Sequence, residues 1–137
     1  AASAGAADLG LSLTLRGLAR RLTLVTAHTK SGAAPDVDWA ALADPQETLA
    51  AYMGKAAAGH VSRGLIAAGL ALDTPVALVE NASLPEKREF FTRLDLLPLA
   101  ARSALRGGPA VILIGEALRG ANSRRELAGE EAQNVAA

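Results

Sequence analysis

In Thr74-Pro75-Val76-Ala77-Leu78-Val79-Glu80-Asn81-Ala82-Ser83, a strand-length apolar run ends in four polar or small residues. The middle, Val-Ala-Leu-Val, suits a strand buried on both faces. Glu-Asn-Ala-Ser then supplies turn chemistry. The flanking sequence repeats this alternation of element types. Upstream, 55–68 reads as a helix stopped by Gly69, and 48–53 as a second strand. Downstream, 88–94 reads as a strand near a sheet edge, with Phe90 and Phe91 on opposite faces. Residues 96–105 follow as a helix, broken by Gly107-Gly108-Pro109. Residues 110–114 form a last buried strand, ended by Gly115. Farther out, 22–26 alternates and is rich in β-formers, 30–37 is a loop, and Asp38 caps a short helix through Leu42. An Ala-rich helix over 2–10 is expected, ended by Gly10. Strands alternate with helices over 48–81 and 88–114. The expected fold class is therefore α/β, with a largely buried mixed sheet flanked by helices.

Composition narrows the function classes. The 137 residues carry 14 Lys plus Arg against 14 Asp plus Glu, a balance unlike the basic face of a nucleic-acid binder. No apolar run approaches the roughly 20 residues of a membrane span. No Cys is present, which removes thiolate metal sites and Cys nucleophiles and fits a reducing compartment; a cytoplasmic location is expected. Half the residues are apolar but only 3% are aromatic, so the core must be built from Leu, Val, Ile and Ala. Such a core implies modest stability and an apolar surface that a partner completes. The chain opens at Ala1 inside the Ala-rich stretch, and a piece of a longer protein is expected. One domain over 1–118 and a disordered polar tail over 119–137 are expected.

No constellation carries chemistry by spacing alone. His28 and His60 lack spaced partners for a metal, and no metal site is expected. Asp36, Asp38 and Glu47 read as capping and solvated loop carboxylates. Gly107-Gly108-Pro109 precedes a strand, so it is a turn and not a phosphate cradle. Two strand ends stand out, Tyr52-Met53-Gly54 and Glu80-Asn81-Ala82-Ser83. Ligands of open α/β sheets gather at the carboxyl ends of strands. Ala82 would let a ligand approach the backbone, and Met53 offers a polarizable side chain to an aromatic ring. The plainer reading of the same residues is Met53 as core filling and Asn81 as a turn cap.

The order of several short motifs resembles the tetrapyrrole methylases, in particular the C-terminal half of the uroporphyrinogen-III C-methyltransferases and the methylase module of siroheme synthases. Gly10-Leu-Ser-Leu-Thr-Leu-Arg16 is similar to that family's G-I-P-L-T-H-R, and Val25-Thr-Ala-His-Thr29 to its V-T-G-H-x. Asp38-Trp39, Tyr52-Met53-Gly54, the 74–83 stretch, Lys87-Arg88 and 110–116 follow in the family's order. The resemblance covers about 1–118. It implies a five-stranded mixed sheet and an S-adenosylmethionine site, S-adenosylhomocysteine being the product. By motif position, Ala1, Met53 and Ala82 are the cofactor-binding residues; no catalytic residue falls on this chain. The implied substrate is uroporphyrinogen III, in siroheme and cobalamin synthesis, and the implied assembly a homodimer. The family's Gly-rich cofactor loop and proton-handling residues lie in an N-terminal half that this chain does not contain, so the chain alone is expected to be inactive. Leu15 replaces the family's His and Ala27 its Gly. A methylase acting on a precorrin, or a non-catalytic module binding a nucleotide-like ligand or a partner protein, are the competing readings.

Overall fold

A computed structural model of the chain describes residues 17, 19–26, 38–52 and 55–120, with backbone only at Thr26, Lys55 and Ala56. Five strands form one sheet: β1 (Arg21–Thr26), β2 (Glu47–Tyr52), β3 (Pro75–Glu80), β4 (Arg88–Arg93) and β5 (Ala110–Ile114). Helices α1 (Trp39–Leu42), α2 (Lys55–Ala67) and α3 (Leu97–Ala104) accompany them. Single 3-10 turns sit at Leu94–Leu96 and Glu116–Leu118. The strand order is β1-β2-β5-β3-β4. Strands β1 and β2 are parallel, while β5 runs antiparallel to both β2 and β3, and β4 antiparallel to β3. The expected mixed five-stranded sheet is thus observed. The last of the described strands, β5, is the middle strand of the sheet.

Pleating sends alternate residues of the central strands to two apolar clusters. Leu49, Ala51, Val76, Leu78, Ile112 and Ile114 face the helices, where they meet Ala58, Val61 and Leu65 of α2 and Leu97 and Ala101 of α3. Ala50, Ala77, Val79, Val111 and Leu113 face the other way, with Leu118. Phe90 joins the first cluster and Phe91 the second, as their adjacency predicts. The helical face follows the 3.6-residue period: Ala58, Val61 and Leu65 are fully buried.

Local chemistry sets the helix ends. Asp38 caps α1, its Oδ1 accepting from the Ala41 N–H at 3.3 Å. Gly69 ends α2 with φ +104: its N–H donates to Ile66 O, and the Leu70 N–H donates to Leu65 O, both at 3.0 Å. That pair of bonds is the glycine-dependent helix stop expected at this position. Trp39 seats its ring against Gly64, where a Cβ would come within 2.5 Å of ring atoms. This close approach locks α1 onto α2. The expected helix over 2–10, the loop over 30–37 and the tail from 121 onward lie outside the described residues.

Candidate functional site

Strands β2 and β3 run the same way on either side of β5, so their carboxyl ends share one edge of the sheet. Tyr52 pairs with Val111 there, and Glu80 with Ala110. At this edge lies a cleft of about 250 Å³ lined by Tyr52, Val79, Asn81, Ala82, Leu84, Pro109, Ala110 and Val111. Ala82, a sequence-predicted site residue, forms part of the wall and packs against the second apolar cluster beside Tyr52. Met53 follows Tyr52 directly in the chain, but it lies outside the described residues, as do Ala1 and His28.

The backbone around Ala82 is unusual. Asn81 has φ 56 and Ser83 has φ 68, a left-handed conformation that non-glycine residues adopt at a cost in strain. A turn holds it, with the Leu84 N–H donating to Asn81 O at 3.0 Å. The turn role read for Asn81 is therefore real, and the same residue also lines the cleft. The Asn81 N–H donates to Pro109 O at 2.9 Å, joining the end of β3 to the turn that precedes β5.

Beneath this turn, Glu80 is 2% exposed. Its Oε2 accepts from the Arg106 N–H at 2.8 Å, and its Oε1 lies 3.8 Å from Arg88 Nη1. Arg88 Nη1 also donates to Ala104 O at 2.7 Å, and its guanidinium sits 5.1 Å from the centroid of the Phe90 ring. A buried carboxylate is tolerable when it is both hydrogen-bonded and paired, as here.

A second buried carboxylate lies at the opposite edge. Glu47 opens β2 and is 5% exposed. It accepts from the Thr23 hydroxyl, and Arg21 Nη2 lies 3.5 Å away. Burial pushes its pKa up, against the lowering influence of Arg21. The expectation of a solvated loop carboxylate is corrected here: β1 pairs alongside and covers the side chain, Arg21 standing opposite Glu47 in register. Asp38 is a cap, as read, and Asp36 lies outside the described residues. A smaller pocket of about 40 Å³ adjoins Glu47, lined mainly by apolar residues including Leu49, Leu65 and Ile114. It has room for a water molecule and not for a cofactor. His60 is exposed on α2, its Nδ1 3.3 Å from Arg63 Nη2. Among the described residues no group of three or more His, Asp or Glu is placed to hold a metal ion.

The sequence points to both strand ends but gives no ligand-binding role to Tyr52 or Asn81, which line the cleft with Ala82. It also read Gly107-Gly108-Pro109 only as a turn. The signal missed was the second glycine: a Cβ on Gly108 would lie 2.5 Å from Asn81 Oδ1. Paired glycines before a strand can mark a close approach as well as a turn.

The family model for Tetrapyrrole (Corrin/Porphyrin) Methylases matches residues 1–98. The chain is 46% identical over 117 residues to a uroporphyrinogen-III C-methyltransferase of Pseudomonas aeruginosa, covering 85% of this chain and 46% of the relative. Among solved structures, a cobalt precorrin-4 methyltransferase superposes with a TM-score of 0.74 at 28% identity, over 85% of this chain and 48% of that one. The Thermus thermophilus uroporphyrin-III C-methyl transferase, complexed with S-adenyl homocysteine, superposes with a TM-score of 0.68 at 31% identity, over 85% and 50%. The chain thus spans about half the length of the proteins it matches.

Proposed function

The chain belongs to the tetrapyrrole methylase family, and from that premise we propose that it forms the C-terminal half of an S-adenosylmethionine-dependent C-methyltransferase acting on uroporphyrinogen III. The observation that carries this reading is the cleft where the ends of β2 and β3 meet, walled by Tyr52 and Ala82. Its volume of about 250 Å³ falls just below the roughly 300–1,000 Å³ of a complete small-molecule site. That suits one wall of a shared site, the rest coming from the other half of a protein twice as long. Its apolar lining, with a single small residue on a strained turn, fits a flat nucleoside portion of a ligand.

When bound, the cofactor supplies an activated methyl group on a sulfonium. This chain's own part is to bind and to orient. Ala82 has no side chain beyond Cβ to keep a ring away from the turn backbone. Val79, Val111 and Leu84 make the wall apolar. Tyr52 bounds the cleft from β2, and Met53 is the next residue in the chain. In this reading alignment of the reacting atoms supplies much of the rate. Proton handling falls to the other half, so the isolated chain is inactive in this reading.

A precorrin as substrate is the second reading, favoured by the larger TM-score of the cobalt precorrin-4 methyltransferase. The higher identity to the uroporphyrinogen-III enzyme supports the first. The working form is read as a cytoplasmic homodimer. Support for association comes from Leu22 and Leu24, on one face of the edge strand β1 and 37% and 59% exposed. No described helix is long and apolar enough to cross a membrane.

The test is calorimetry of S-adenosylhomocysteine binding to the full-length protein, with methylation of uroporphyrinogen III and of defined precorrins in parallel. Met53→Asp is expected to weaken binding by about tenfold or more, equivalent to about 1.4 kcal/mol. Unchanged affinity removes Met53 from the site, and no binding by the unsubstituted protein removes the reading as a whole.

A further inference from the structure

We infer that Glu80 and Gly108 are positioning residues for the cofactor wall, acting through Asn81 to hold Ala82 in its strained turn. The inference rests on the function proposed above and adds how that site is kept in shape.

Strain at Asn81 and Ser83 persists only where the surroundings over-determine it. Here the surroundings are the turn before β5. Glu80 grips one end of that turn through the Arg106 N–H at 2.8 Å. Asn81 grips the other end, its N–H donating to Pro109 O at 2.9 Å. Between the two grips, Asn81 Oδ1 occupies the space that a Cβ on Gly108 would need, 2.5 Å away. The Asn81 side chain also reaches Glu86 O, at 3.5 Å, on the far side of the loop that carries Ala82.

Glu80 closes a strand that is otherwise Pro-Val-Ala-Leu-Val and wholly buried. An apolar residue there would pack without desolvating a charge, but it would leave the Arg106 N–H without its acceptor. The carboxylate is therefore explained by what it holds. Arg88, bridging Glu80 and the end of α3 at Ala104 O, offsets the buried charge and braces the same turn from the helix side. Neither Glu80 nor Gly108 lines the cleft, so neither is a catalytic residue.

The test uses the full-length protein, S-adenosylhomocysteine calorimetry, and steady-state kinetics with S-adenosylmethionine as the varied substrate. Gly108→Ala is expected to raise the dissociation constant about tenfold when residue 81 is Asn. In an Asn81→Ala background, where the collision is gone, the same substitution is expected to change it less than about twofold. Glu80→Ala is expected to raise KM for the cofactor with kcat nearly kept, and Glu80→Gln, which retains an acceptor for Arg106, to recover most of that loss. Equal effects of Gly108→Ala in both backgrounds overturn the inference, because the loss would then not pass through Asn81. So does a kcat loss in Glu80→Ala that Glu80→Gln fails to rescue. If the unsubstituted protein binds no S-adenosylhomocysteine, both this inference and the proposed function fall; if it binds and Gly108→Ala binds equally well, only the inference does.

Discussion

The sheet has two ends, and each buries a glutamate. At one end Glu47 lies under β1 beside a small pocket of about 40 Å³. At the other, Glu80 lies under the turn that walls an open cleft of about 250 Å³. Glu47 is held by a hydroxyl and a distant cation, Thr23 and Arg21. Glu80 is held by a backbone N–H and a cation that itself clamps a helix end. Strained non-glycine residues occur beside Glu80, at Asn81 and Ser83. Beside Glu47 the demanding position is a glycine, Gly115. The difference teaches that the tight position at the first end is relieved by a glycine, while the second end keeps non-glycine strain beside the larger cleft.

Substitutions at the Glu47 end should therefore change stability and spare affinity. The largest effect is expected for Gly115→Ala. Its φ is +151, and a Cβ would lie 2.9 Å from Glu47 O, a backbone atom that cannot step aside. A loss of about 3 kcal/mol in denaturant melts is expected. S-adenosylhomocysteine affinity should be unchanged in the molecules that remain folded. A matching loss of affinity would mean that the two ends are coupled and the contrast is false.

Glu47→Gln comes next. Burial raises the Glu47 pKa, so between the ordinary and the raised value the folded chain holds a proton that the unfolded chain has released. Stability from this group is full below the ordinary value and is lost as pH rises through the raised one. Gln keeps an acceptor for Thr23 and carries no charge to desolvate. At neutral pH the variant should be as stable as the parent or about 1 kcal/mol more so. Its melting temperature should also decline less as pH climbs out of the acid range. A steeper decline than in the parent would show that the Arg21 pair outweighs burial.

Asp44→Ala should have the smallest effect. Asp44 accepts from the Gln46 N–H at 2.9 Å and pairs with Arg21 at 2.8 Å, which together hold its pKa below the ordinary value. Here the sign reverses: the contribution is present above the ordinary carboxylate range and lost as pH falls through the lowered value. Thermal melts of variant and parent should differ slightly at neutral pH and converge in acid. A gap that persists in acid would assign the effect to the shape of the turn and not to its charge.

Most elements of this fold are legible in local chemistry. Apolar runs give β3 and β5, the Gly69 stop ends α2, and Asp38 starts α1. Strand order is not local, and no spacing says that β5 enters between β2 and β3. Glu47 was misread for a related reason: what buries it is β1, far away in sequence, and a single stretch cannot show that. At the site, Ala82 was legible because a small residue after a strand end has a simple meaning. Gly108 was not, because its need for a missing Cβ comes from Asn81, on another element.

The central place of β5 also constrains how the chain is made. Until residues 110–114 leave the ribosome, β2 and β3 have no hydrogen bonds to each other, only to their outer neighbours β1 and β4. The nascent protein is then two separate ribbons, each with an apolar edge open to other chains. A stop codon before Ala110 should leave a product prone to aggregate, with both apolar edges open. In such a sheet the joining of β2 to β3 waits on the strand that comes after both in the chain.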